Sequence, residues 1–331
     1  MKAVVMTRTG PAEMLDYREM PDPEITHPDQ IKVRLRSAGV NPVDTKIRRN
    51  GLLAVAGVLP AILGCDGAGE VVDAGHAVTR FKVGDRVWFC HGGLGGDPGN
   101  YAEYTVLDQR WASVMPRSLD FSQAAAAPLV LITAWGMLFD RGRLQAGQTA
   151  LIHAGAGGVG HVALQLARQR GARVITTVGS IEHAALARQW GADEVIDYRS
   201  QDFVVEVNRL TGGRGADLVM EMVGPEVFVR SMACTACFGD LVTLLDPGAV
   251  PLVEARNRNL RIGFELMLTP QLRDLEEARH HQVAILHQCG EWLDQGVLEI
   301  HVSHVFPLVE AALAHRQVET GHTAGKVVLT I

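Results

Sequence analysis

Apolar positions along the chain follow two patterns and then a mixed tail. Up to about residue 120, short runs are separated by Gly, Pro and Asp: KAVVMT (2–7), QIKVRLRSAGV (30–40), GAGEVVDAG (67–75) and AEYTVLD (102–108). Such runs predict strands of a small antiparallel barrel or sandwich, and no amphipathic segment of helix length stands out among them. From about 149 the period changes. TALIHA (149–154) precedes a helical stretch at about 158–170, and RVITTVG (173–179) precedes one at about 182–190. EVIDY (194–198), DLVMEMVG (217–224), LVTLLD (241–246) and LRIGFEL (260–266) follow. Six apolar strands alternating with helices predict a parallel, doubly wound six-stranded sheet buried on both faces. The tail holds a long polar helix at about 275–295, then VSHVF, the helix LVEAALAHRQVE and a strand KVVLTI. It adds no further strand–helix unit and is expected to return to the first domain.

Composition narrows the class. A chain of 331 residues, 47% apolar, suits two folded domains rather than a disordered or disulfide-stapled chain. With 37 acidic against 31 basic residues the net charge is -6, so neither nucleic acid nor an anionic membrane surface is an expected partner. Five cysteines, an odd number, suggest a reducing compartment, and the opening MKAVVMTRTG lacks the apolar stretch of a signal peptide. The uncharged run 121–139 contains Ser122, Gln123, Pro128, Thr133 and Gly136, which marks a buried helix rather than a membrane span. A cytoplasmic protein is expected.

The strongest motif is Gly155-Ala156-Gly157-Gly158-Val159-Gly160, which follows a predicted strand and opens a predicted helix. It satisfies G-x-G-x-x-G in the context that a dinucleotide site requires. A Cβ would block the tight turn and the approach of a pyrophosphate, and the helix start offers free N–H groups with partial positive charge. A lone match is weak; the six-strand pattern around it is what gives it force. An NAD site would carry Asp or Glu at the end of the second strand. Here that strand ends Thr177-Val178-Gly179-Ser180 with no acid before Glu182, which favours NADPH over NADH. No lysine occurs from 124 to 265, so His183 and Arg199 are the candidate cations for a 2′-phosphate, with Ser180 and Tyr198 as hydroxyl donors. The bland alternative makes these four solvated surface residues.

The chain resembles the zinc-independent quinone oxidoreductase branch of the medium-chain dehydrogenase/reductase superfamily along essentially its whole length. The likeness rests on the ordered set Ala38-Gly39-Val40-Asn41-Pro42-Val43-Asp44, Gly64-Cys65-Asp66-Gly67-Ala68-Gly69-Glu70-Val71, Val83-Gly84-Asp85-Arg86-Val87, Tyr101-Ala102-Glu103-Tyr104, Ala126-Ala127-Pro128, Thr133-Ala134-Trp135, the glycine loop and Gly321-His322-Thr323-Ala324-Gly325-Lys326-Val327-Val328-Leu329. The resemblance implies a GroES-like catalytic domain (1–123 and 266–331) interrupted by a Rossmann NADP(H)-binding domain (124–265). In the zinc-dependent branch the first ligand is a Cys where this chain has Asn41. That branch's His-Glu pair corresponds to Cys65-Asp66 and its later Cys to about Leu129. Catalytic zinc needs three protein ligands, so no catalytic metal is expected. Cys234-Thr235-Ala236-Cys237 has no second pair and falls on a predicted helix, which favours buried helix residues over a metal or redox site.

Without zinc to polarise an alkoxide or carbonyl, the expected acceptor takes hydride unaided: a quinone or an α,β-unsaturated carbonyl compound, whose charge delocalises onto oxygen. By the resemblance, Asn41 lies near the nicotinamide, Asp44 holds that loop and Thr133 faces the same region. Asn41-Pro42 also reads as a plain turn, and Asp44 as a structural hydrogen-bond partner rather than an acid or base. Val223, Gly224 and Leu245 should line the cofactor by backbone contact, or else be ordinary core. Lys326 either reaches a phosphate or faces solvent. Residues 45–60 lack the Tyr that enoyl-thioester reductases carry, which argues against that group; water or ribose hydroxyls would then deliver the proton. A non-catalytic NADPH-binding structural or sensor protein and a zinc alcohol dehydrogenase stay open as alternatives. An exposed sixth-strand edge around 260–266 suggests a homodimer.

Overall fold

The short runs before residue 120 become strands β1 (Lys2–Met6), β2 (Leu15–Glu19), β3 (Gln30–Val40), β4 (Ala61–Ile62), β5 (Asp66–Ala74), β6 (Arg86–Cys90), β7 (Tyr104–Asp108) and β8 (Ser113–Val114). The structure is a computed structural model that describes residues 1–331. Helix α1 (Pro42–Asn50) also lies in this stretch, although no amphipathic segment of helix length stands out there in the sequence. Its buried residues are Asp44, Thr45, Ile47 and Arg48, so mostly polar side chains face inward and no apolar stripe marks it in the sequence. The uncharged run 121–139 is not one helix. It forms α2 (Phe121–Ala126), α3 (Pro128–Trp135) and a π-helical turn (Gly136–Arg141); Pro128 lacks the N–H that would carry one helix into the next.

Then come β9 (Thr149–Ile152), α4 (Gly158–Gln169), β10 (Arg173–Val178), α5 (Ile181–Gln189), β11 (Glu194–Asp197), α6 (Phe203–Leu210), β12 (Ala216–Glu221), α7 (Pro225–Ser231), β13 (Thr235–Thr243), α8 (Val253–Asn257) and β14 (Arg261–Phe264). The tail forms α9 (Thr269–Leu272), α10 (Glu276–Asp294), β15 (Val302–Pro307), α11 (Ala311–Glu319) and β16 (Lys326–Thr330). The chain divides into two units, Met1–Leu129 with Leu268–Ile331, and Val130–Met267.

The first unit has a three-stranded sheet, β2-β1-β4, and a seven-stranded sheet ordered β15-β16-β3-β5-β6-β8, with β7 paired to β3. The tail therefore returns to the first strands: β16 runs antiparallel to β3 with Val327 opposite Val40. Ile31, Val33, Leu35, Val71, Val87, Phe89 and Leu107 form its core.

The second unit is a parallel sheet ordered β11-β10-β9-β12-β13-β14. Leu151, Ile175, Val219 and Leu241 come from its four central strands and are fully buried, each stabilising the sheet by about 1.5–3 kcal/mol. The strand order reverses between β9 and β12, which places the crevice for a ligand at their carboxyl ends. Of Cys234-Thr235-Ala236-Cys237, only Cys234 is helical, buried at the end of a 3-10 turn (Met232–Cys234), and the other three open β13. Thr235 pairs with Ala216 and the chain bulges at Phe238 (φ 63°), so the ladder to β12 outweighs local helix preference and leaves Cys237 exposed. No helix is long and apolar enough to cross a membrane.

Candidate active site

In the second unit, the glycine loop joins β9 to α4, as the motif predicts. A Cβ on Gly155 would lie 2.1 Å from Thr176 Oγ1, and one on Gly160 would lie 2.2 Å from the Ala154 carbonyl oxygen. Gly155 is therefore required by packing against β10, and Gly160 by the loop's own backbone. Gly157 differs: a Cβ there would meet only the Ala154 oxygen at 3.2 Å and would otherwise fill open space. Gly157 is also the N-cap of α4, with no side chain to satisfy the first N–H groups of that 12-residue helix. Ala156, Gly158 and Val159 complete this cradle. Ala154 adopts φ 52°, an uncommon conformation for a residue with a Cβ.

His153, just before the loop, braces it. Its Nδ1 lies 3.1 Å from Thr177 Oγ1 and its Nε2 3.0 Å from Ser231 Oγ, while Thr177 Oγ1 also accepts from the Ala154 N–H at 3.2 Å. Burial, with Arg230 nearby, pushes this imidazole down to about 3, so it is neutral.

At the end of β10, Ser180 caps α5 by accepting from the His183 N–H at 3.1 Å. Tyr198 and Arg199 follow β11 and are exposed. The Tyr198 hydroxyl leans over Gly179, 2.4 Å from where a Cβ would stand. Ser180, His183 and Tyr198 are thus brought together at one strand end. The same corner holds Glu182, whose carboxyl is kept below its ordinary range by its own N–H and by the Ser180 hydroxyl. Val223, Gly224 and Leu245 are organised by a residue that the sequence reading passed over. Buried Glu221 at the end of β12 accepts from the N–H groups of Val223 (2.5 Å) and Gly224 (2.6 Å) and from Thr243 Oγ1 (2.7 Å). Thr243 Oγ1 in turn accepts from the Leu245 N–H at 3.1 Å. The available signal was a carboxylate inside an otherwise apolar strand run. Thr133 is buried on α3.

In the first unit, Asn41 and Asp44 stand at the start of α1. The Asn41 N–H donates to Asp44 Oδ2 at 2.8 Å, and Pro42 occupies the first helical position, so this Asn-Pro pair starts a helix rather than a plain turn. The Tyr101 hydroxyl donates to the same oxygen at 3.0 Å. Tyr101 touches His315 Nε2 at 3.2 Å, and Arg48 lies 3.3 Å from His315 Nδ1 and reaches Glu319. Burial and Arg48 push His315 down to about 3, which leaves Nδ1 as acceptor and Nε2–H as donor. The bonds therefore run in one direction, from Arg48 through His315 and Tyr101 to Asp44. Burial pushes Asp44 up to about 7, against the pull of the Asn41 N–H.

Lys326 does not face solvent, one of the two alternatives held for it: the side chain is buried, and Nζ donates to Asn41 Oδ1 and, at 3.4 Å, to the Val40 carbonyl. Asn41 Nδ2 then donates to Asp66 Oδ2 at 2.9 Å, while Asp66 Oδ1 accepts from the Leu129 N–H at 2.9 Å. Burial pushes Asp66 up to about 6, with Lys326 the largest opposing influence. The Cys65 thiol, 3.8 Å from Asp44 Oδ1, is driven well above its ordinary value by burial.

Residues 27–117 match the family described as the alcohol dehydrogenase GroES-like domain, and residues 190–329 the family described as zinc-binding dehydrogenase. The chain is 36% identical to the quinone oxidoreductase of Pseudomonas aeruginosa over 329 residues, 99% of each chain. It is 32% identical to the 2-haloacrylate reductase of a Burkholderia species over 313 residues, 91% of each. The solved structure of the Escherichia coli quinone oxidoreductase complexed with NADPH superposes with a TM-score of 0.88 at 28% identity, covering 100% of both chains. With a GroES-like unit, a six-stranded Rossmann unit and relatives matched from end to end, the chain belongs to the medium-chain dehydrogenase/reductase superfamily, among its quinone oxidoreductases, and is an oxidoreductase.

Proposed function

We propose that the protein is an NADPH-dependent, zinc-free reductase that passes hydride to a quinone or to an α,β-unsaturated carbonyl compound. The observation that carries this reading is the cradle at α4: an uncapped helix start, a Gly157 position that a Cβ would fill, and a place at the β9/β12 strand-order reversal. The residues present fit a dinucleotide. The N–H groups of residues 156–160 would hold its pyrophosphate, and Ser180, His183 and Tyr198 at the end of β10 would flank its adenosine ribose, with Arg199 next along the chain. Glu221 and Thr243 keep the Val223-Gly224 turn and Leu245 at fixed positions for its nicotinamide half. When bound, NADPH supplies the hydride. Relatives named for a quinone and for 2-haloacrylate support a conjugated acceptor, since both compounds carry a double bond in conjugation with a carbonyl group.

Zinc does not fit the donors at the positions where zinc-dependent enzymes carry ligands. Asn41 Oδ1 already accepts from Lys326, both Asp66 oxygens accept N–H bonds, burial holds Cys65 as a thiol, and Leu129 has no donor side chain. No step is therefore routed through a metal. Five unpaired thiols suit the reducing cytoplasm.

The test is the loss of NADPH absorbance, followed by stopped flow against a panel of quinones, enals and 2-enoates. Turnover with at least one class is expected. Tight NADPH binding with no turnover on any of them would overturn the reading in favour of a binding protein.

A further inference from the structure

We propose that Lys326 is the internal counter-cation of the buried Asp44 and Asp66 carboxylates in the GroES-like unit, and that it positions Asn41 by fixing its amide in one orientation. The register carries the argument. Val327 lies opposite Val40 across β16 and β3, so Lys326 is brought to Asn41. Nζ donates to Asn41 Oδ1, which turns Nδ2 toward Asp66; with a cation on one side and a carboxylate on the other, the reverse orientation would oppose donor to donor and acceptor to acceptor. Lys326, Asn41, Asp44 and Asp66 are all buried. Two carboxylates enclosed without a counter-charge would be strongly disfavoured, and the ammonium supplies one from within the fold. Burial pulls this ammonium below its ordinary value, and the groups that face it oppose that pull: Asp66 on β5, Asp44 on α1, and the thiols of Cys90 at the end of β6 and of Cys65. Tyr101 and His315 act one step away, through Asp44.

This bears on the zinc-free part of the reading above and needs no acceptor for its test. The sign of the pH dependence follows from the two carboxylates. Both have folded-state values raised above 3.8, to about 7 and about 6, so the folded state holds more protons than the unfolded one between about 4 and 7. Their burial therefore weakens the fold as pH rises through that window. Removing the cation raises both further and carries the penalty to higher pH.

The experiment compares melting of the wild type, Lys326→Met, and Lys326→Met combined with Asp66→Asn. At about pH 8 we expect Lys326→Met to melt about 8 °C below wild type, with the deficit at least halved at about pH 5.5. Asp66→Asn should restore much of the loss, because an Asn41 freed from Lys326 can turn its oxygen toward the new amide. A deficit equal at both pH values and unchanged by Asp66→Asn would mean packing alone and would overturn the proposal. If Lys326→Met does not fold at about pH 8, recovery of folded protein in the double variant supports the proposal and its failure overturns it. In parallel, wild-type protein equilibrated with zinc and then desalted should retain none by metal analysis; about one zinc per chain would overturn the proposal. None of these outcomes requires turnover, so they leave the test of the reaction independent.

Discussion

Single positions in the glycine loop separate packing from binding. Gly160 is demanded by the neighbouring backbone, whereas Gly157 has an ordinary φ of -75° and a single tight neighbour, the Ala154 carbonyl oxygen at 3.2 Å from a Cβ. Gly157→Val should therefore cost only about 1–2 kcal/mol of stability, from an apolar N-cap and one tight contact, while weakening NADPH at least about tenfold, as read by nicotinamide fluorescence titration. Equal affinity would remove the pyrophosphate from this corner. At the end of β10, Glu182 is held against Ser180, and on the proposed reading its charge would stand beside a 2′-phosphate. Glu182→Gln is expected to raise kcat/KM with NADPH by about two- to fivefold and to leave NADH nearly unchanged, an effect that added salt should shrink. The glycines were legible in the sequence because their constraint is steric and local. Lys326 was not: what fixes it lies 285 positions away at Asn41, and no spacing rule connects a strand lysine to a helix-start asparagine at that separation.

Among the elements, the parallel sheet was readable because its strands are buried on both faces and so appear as unbroken apolar runs. Helix α1 was hidden for the opposite reason. Asp44, Thr45 and Arg48 turn inward and are satisfied by one another's neighbours, so burial there leaves no apolar period. The beginning of β13 misled in a third way, since Cys, Thr and Ala say little locally and the pairing with β12 decides. The loops after β12 and β13 depend on Glu221. Glu221→Ala would leave the Val223 and Gly224 N–H groups without their acceptor, and a loss of about 2–4 kcal/mol in chemical denaturation is expected. Glu221→Gln keeps an acceptor for those N–H groups and should recover most of that stability together with NADPH affinity. A Gln variant as weak as the Ala variant would show that the carboxylate charge matters, and not only its acceptor geometry.

For the whole molecule, β14 ends the six-stranded sheet with one edge unpaired, and Phe264 (58%) and Leu266 (55%) are exposed there. We propose that a second copy covers this edge to form a homodimer. Light scattering should give twice the chain mass for the wild type and the single mass for Phe264→Glu; a monomeric wild type would refute it. The two units also differ in how the chain composes them. Val130–Met267 is contiguous, whereas the other unit joins Met1–Leu129 to Leu268–Ile331. On the ribosome, Asp44 and Asp66 are therefore made long before the lysine that balances them, and the whole of Val130–Met267 emerges in between. The nascent front half has every reason to keep these two carboxylates in water until β16 arrives, so final closure of that half waits on one late strand while the middle of the chain is free to fold first.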